Sequence, residues 1–207
     1  DEHMNVLASL SDALESEDDA KNVDVAYIGT DTTENLRSII RRFKGDPDFS
    51  KVSSLTVYFK DGWDTDLMKK FPKLKLTEGN SDNKFSLKFI KLPKNGIIPE
   101  EAVSVDYVLS TYVTPWAMEK DEDGNETNRE QYKKLIHKLL ENEKSRLISV
   151  DPSNSSKAIR ATCEFTTLQE LYLGANGLDL KLHDTKVAGD DMVVDCKIWK
   201  LKGRTAE

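Results

Sequence analysis

Short apolar runs that alternate with amphipathic helical patterns constrain this chain more than any other feature. The first such unit is Val23 to Glu34, reading VDVAYIGTDTTE. An apolar run from Val23 to Ile28 meets Gly29, and a polar turn then opens a helix. Asp31 or Thr32 suits the capping position, and Glu34 can close a capping box. In an α/β chain the turn after the first strand lies beside a helix N-terminus. The free N–H groups and positive dipole end found there suit an anionic or nucleotide-like ligand. A cofactor-cradling turn wants two or three glycines so that backbone can approach the ligand; this one keeps a single glycine, with Asp31 and Thr33 in the later places.

The same alternation runs on. Asn5 to Ala20 reads as a helix with Val6, Leu7, Leu10, Ala13 and Leu14 on one face and an acidic run, Glu15 to Asp19, behind it. After the first strand, Thr32 to Phe43 repeats apolar residues at helical spacing and is stopped by Gly45, Asp46 and Pro47. Ser54 to Phe59 is a second strand, Asp64 caps a short helix carrying Leu67, Met68 and Phe71, and Phe85 to Leu92 alternates as a third strand. Val103 to Val113 is the most β-like run and reads as the fourth strand. Beyond an acidic loop, Glu119 to Glu126, Thr127 and Glu130 form a capping box for a helix over Asn128 to Asn142. Arg146 to Val150 is a fifth strand and Thr166 to Leu173 a helix. Leu178 to His183 and Met192 to Leu201 are closing strands joined by a turn at Gly189 and Asp190, the last with the period of a half-buried antiparallel strand. Alternation of this kind predicts an α/β fold: a doubly wound, mostly parallel sheet with right-handed crossovers, helices on both faces, and a C-terminal antiparallel hairpin at or near one edge.

At 207 residues one core suffices, so the expectation is one domain over 23–207. It is preceded by a helix and acidic linker over 5–22 and by a cloning remnant at 1–4. A net charge of −7 argues against broad nucleic-acid or anionic-membrane binding. No apolar run approaches the roughly 20 residues of a membrane helix. Two cysteines, Cys163 and Cys196, are too few for a disulfide scaffold and fit a reducing compartment, so an intracellular location in cytoplasm or nucleus is expected. His137 and His183 have no second ligand at metal spacing, so no metal site is expected, and none of the G-x-S-x-G, P-loop or H-E-x-x-H signatures occurs. Trp63, Trp116 and Trp199 read as packing residues in an acidic chain.

Taken together, five β-α units and the closing hairpin resemble the class I S-adenosylmethionine-dependent methyltransferase fold over Val23 to Leu201. Within it the small-molecule amine methyltransferases, histamine N-methyltransferase among them, look most similar. The residues that carry this are Y-I-G with Glu34 opening the helix, V-D-Y-V-L-S-T-Y-V in the fourth strand, R-L-I-S-V-D-P in the fifth, and T-T-L-Q-E-L-Y-L-G-A-N-G-L before the hairpin. The resemblance implies that the cofactor's methionine part would lie against Gly29, Thr30 and Asp31. Its ribose would meet an acidic side chain after the second strand, which makes Asp61 the candidate. Its adenine and sulfonium would lie near Ser110, Thr111 and Tyr112.

Two departures from that pattern bear on activity. The G-x-G-x-G turn has become Gly29-Thr30-Asp31-Thr32-Thr33, and Lys60 intrudes before Asp61. A side chain at a glycine position blocks backbone approach or strains it by about 1 to 3 kcal/mol. The Asp31 carboxylate would also face the carboxylate of the cofactor's methionine. Methyl transfer is largely in-line positioning, so cofactor binding is most of the activity. The expectation is a degenerate, methyltransferase-like domain without catalytic residues or cofactor, serving as a protein-interaction or scaffolding module. Its partner surface is expected on an exposed apolar patch at Asn5 to Leu14 or near Trp116. The alternative is an active enzyme using S-adenosylmethionine to methylate a small amine or similar acceptor.

Overall fold

The computed structural model describes residues 2–29, 33–60, 85–111, 113–117, 119–152, 180–186 and 194–201. Seven strands form one sheet: β1 (Val23–Gly29), β2 (Val52–Phe59), β3 (Ser86–Lys91), β4 (Tyr107–Thr111), β5 (Arg146–Pro152), β6 (Leu180–Lys186) and β7 (Val194–Leu201). Their order across the sheet is β3-β2-β1-β4-β5-β7-β6. All neighbours among β1 to β5 pair parallel, whereas β7 runs antiparallel between β5 and β6. The doubly wound sheet and closing hairpin anticipated from the alternation are both present.

Side chains leave the strands on alternate faces, and each face has its own helices. On one face Val25, Tyr27, Leu55, Val57, Leu109 and Ile148 meet α1 (Glu2–Glu15) and α2 (Thr33–Gly45). On the other, Ala26, Ile28, Tyr58, Val108 and Leu147 meet α3 (Val113–Ala117) and α4 (Thr127–Leu139). A short 3₁₀ turn, Pro47–Phe49, follows α2 and buries Phe49 against Phe43, with ring centroids 5.2 Å apart.

Several expectations are corrected. The apolar stripe of α1 is not an exposed docking surface: Val6, Leu7, Leu10 and Leu14 are each 1% exposed or less, because the helix lies over β4, β5 and β7. The fourth strand starts at Tyr107, not Val103. The Val105 and Asp106 N–H groups go to Leu139 O and Asp24 O, and Val103 is left 61% exposed. It also ends at Thr111, since Val113 begins a helix whose first turn holds Pro115 without losing a hydrogen bond. Thr127 does not make the expected capping box. Its hydroxyl donates to Asp121 Oδ2 (3.0 Å), and Glu126 takes the cap position without a side-chain bond. In the last strand Ile198 is buried in one core and Trp199 in the other, because the strand lies inside β6 rather than at the rim. The helices expected at Asp64 and at Thr166–Leu173, the Gly189–Asp190 turn and Cys163 lie outside the described residues.

The N-terminal end of the sheet is tied to α1 by a polar network. Tyr107 Oη donates to Glu17 Oε1 (2.7 Å), and Lys21 bridges Glu17 Oε2 (3.2 Å) and Asp106 Oδ1 (3.1 Å). Lys51 Nζ donates to Leu14 O (2.7 Å) and Glu17 O (2.9 Å), tying the last turn of the helix and the residues just past it to the start of β2. Burial pushes the Glu17 carboxyl up, but hydrogen bonds from Tyr107 and Lys21 outweigh it and hold the group below its ordinary 4.5. A depressed carboxylate stabilises the fold above its unfolded pKa and loses that contribution as pH falls through the folded value. Glu17→Gln should therefore lower stability at neutral pH, and the gap from wild type should close on acidification below about pH 4 in urea titrations. Leu10→Ala should cost about 2 to 5 kcal/mol by the same method, since it opens a cavity between α1 and the sheet. A change near zero would mean that the helix is not integral to the core.

Candidate functional site

The strand order reverses between β1 and β4. From β1 the chain crosses to β2 through α2 on one face, and from β4 it crosses to β5 through α4 on the other. A reversal of this kind marks the C-terminal ends of β1 and β4 as the place where ligands of open α/β sheets bind. Ile28 is in register with Ser110 and Gly29 with Thr111. Three residues singled out from the sequence are thus brought together at the switch point, on strands spaced by about 4.8 Å. Thr30, Asp31, Asp61 and Tyr112, also singled out, lie outside the described residues.

The side chains at this end are largely engaged with one another. Gly29 does not take a left-handed backbone; among the described glycines only Gly96 and Gly124 do. Its missing side chain makes room instead for Tyr27, two residues earlier on the same face. A Cβ at Gly29 would lie 2.5 Å from Tyr27 Oη and 2.7 Å from Cζ. Tyr27 is 2% exposed, so its ring has little room to withdraw. On the opposite face, buried Ser110 shares a hydrogen bond with Tyr132 Oη at 2.8 Å. Thr111 is buried as well.

A second cluster stands at the end of β2. Lys60 Nζ donates to Gln131 Oε1 (2.8 Å) and lies 4.9 Å from the centroid of the Trp116 ring. Gln131 is wholly buried, and its Nε2 donates to Pro93 O (2.7 Å) and Ile97 O (2.9 Å). One amide thereby joins β2, the loop after β3 and α4. Trp116, half-buried, meets Tyr132 edge-on, with centroids 6.5 Å apart. Burial pulls the Lys60 ammonium below its ordinary pKa. Tyr27, Gln131 and Tyr132 were not singled out from the sequence. Gln131 carried a readable signal, since it precedes Leu135 and Leu139 at four-residue spacing on the apolar stripe of its helix. Among the described residues no three of His, Cys, Asp and Glu gather as a metal site, and no helix is long and apolar enough to cross a membrane.

One arrangement decides the fold family: five parallel strands ordered 3-2-1-4-5, with an antiparallel seventh strand inserted beside the fifth. This is the class I methyltransferase fold. Solved structures agree. The chain superposes on an S-adenosylmethionine-dependent methyltransferase from Clostridium acetobutylicum with a TM-score of 0.59 and 11% identity, covering 98% of this chain and 93% of that one. For the methyltransferase domain of bacterial CtHen1 the TM-score is 0.56 at 12% identity, covering 97% and 100%. For the CcbJ methyltransferase of Streptomyces caelestis it is 0.56 at 9% identity, covering 95% and 88%. No family model matches the sequence, and no curated protein matches it significantly. At such identities the likeness is one of methyltransferase fold.

The Tyr27 contact makes a testable demand on this end of the sheet. Gly29→Ala should destabilise by about 1 to 3 kcal/mol in urea denaturation, as overpacking does. Much of that loss should disappear in a Tyr27→Leu background, which removes the ring's far end. Equal costs in the two backgrounds would show that Tyr27 is not what excludes the side chain.

Proposed function

We propose that this chain is a methyltransferase-fold module that has lost S-adenosylmethionine binding and acts by engaging another protein. What supports the reading is that the side chains at the switch point are engaged with one another. Tyr27 fills the space beside Gly29, and Ser110 is paired to Tyr132. Two features of sequence support it further. Asp31 brings a carboxylate to the place where the resemblance puts the cofactor's own, and Lys60 brings a cation to the strand end where a ribose-binding carboxylate belongs. Combined losses of even about 4 kcal/mol lower affinity roughly a thousandfold. The lineage we favour within the fold is that of the small-molecule amine methyltransferases, on the Y-I-G turn and the fourth and fifth strand sequences.

Titration calorimetry with S-adenosylmethionine and S-adenosylhomocysteine tests the reading. No binding heat and no thermal stabilisation should appear at millimolar ligand. Micromolar binding that Gly29→Trp abolishes would contradict it and identify an active enzyme with an atypical turn, to be screened against small amines.

A further inference from the structure

Lys60 stands one residue beyond β2, at the same end of the sheet as Gly29 and Thr111. Both of its described contacts are neutral: the Gln131 amide oxygen and the Trp116 ring. One of the three ammonium protons goes to Gln131. Among the described residues no carboxylate pairs with the group. A cation partly stripped of water and matched by no anion among the described residues is costly, and burial lowers its pKa accordingly. The cradle is also rigid. Gln131 is anchored to two backbone carbonyls, and Trp116 rests against Tyr132, which is itself bonded to Ser110. Lys60 is thus a charge held in place at the ligand end of the sheet.

In doubly wound nucleotide-binding sheets an acidic side chain past the second strand takes the ribose hydroxyls, whereas a cation there accommodates a ribose phosphate. We infer that the Lys60 and Trp116 side of this end of the sheet, apart from the Gly29 and Ser110 positions, is a binding site for a phosphorylated nucleoside, with Lys60 on a ribose phosphate and the Trp116 indole as an apolar wall beside it. A phosphate monoester suits the position because its charge of about −1.5 to −2 compensates the ammonium and its oxygens can take the remaining protons. Such a ligand has no methionine carboxylate to oppose Asp31. The inference therefore does not rest on whether S-adenosylmethionine binds.

Adenosine 2′,5′-bisphosphate, adenosine 3′,5′-bisphosphate and adenosine are titrated in parallel into the wild-type, Lys60→Met and Lys60→Arg chains at about 0.15 M salt. At least one bisphosphate should bind wild type about tenfold or more tighter than adenosine does. Lys60→Met should erase that preference and Lys60→Arg keep it. In the wild-type chain, the side-chain NMR signal of Lys60 should move with the bisphosphate and not with adenosine, which serves if the Met variant fails to fold. Equal binding of all three probes, a preference that survives Lys60→Met, or an unmoved Lys60 signal would overturn the inference. S-adenosylmethionine binding in the same series would contradict the loss of that cofactor without touching this site.

Discussion

The pairing of β1 with β4 is the contact on which the rest of the molecule depends. It joins segments about eighty residues apart and creates the reversal of strand order that makes a crevice possible. Its N-terminal end is locked by a reciprocal pair: Asp24 N donates to the Asp106 carboxylate (2.8 Å), and Asp106 N donates to Asp24 O (2.9 Å). A slip of one residue would turn Val25 and Tyr27 out of one core and Ala26 and Ile28 out of the other. Register is therefore held by burial on both faces as much as by hydrogen bonds. Held that way, Gly29 lies beside Thr111 and the two strands end level.

The ends of the sheet divide the work. At the N-terminal end, Glu17, Lys21, Asp106 and Tyr107 form a charged, partly exposed staple that holds α1 over β4 and β5. Pairs of that exposure are individually worth little, and the apolar face of α1 supplies most of the attachment. At the C-terminal end the polar groups are deeper and face one another: Ser110 with Tyr132, Gln131 with two carbonyls, Lys60 with Gln131. A buried polar network of this kind is stable only when its members are satisfied. Rigidity at the switch point and the economy of the core are thus the same fact.

Much of this was legible beforehand because periodicity reports burial. The strand runs at Val23 and Ser54, the stripe of α2 and the closing hairpin all appear where hydrophobic spacing placed them. The shortfalls have physical causes. Val103 to Asp106 has strand composition, but its N–H groups are spent on the end of α4 and on β1. Thr127 was claimed by the Asp121 carboxylate before it could cap its own helix. At the candidate site, the sequence marked Gly29, Ser110 and Thr111, which register brings together. It did not mark Tyr27, because which ring fills the space beside a glycine is decided by packing rather than by local pattern. Lys60 read as an intrusion on a motif, and only the positions of Gln131 and Trp116 turn it into a placed charge.

The most direct measurement is an amide NMR spectrum of the chain with and without excess S-adenosylhomocysteine, followed at Gly29, Ser110 and Thr111. If Tyr27 and Tyr132 occupy the switch point, these three signals stay where they are at millimolar ligand. Saturable shifts confined to them would show that the switch point still accepts the cofactor, and the loss of cofactor binding would have to be given up.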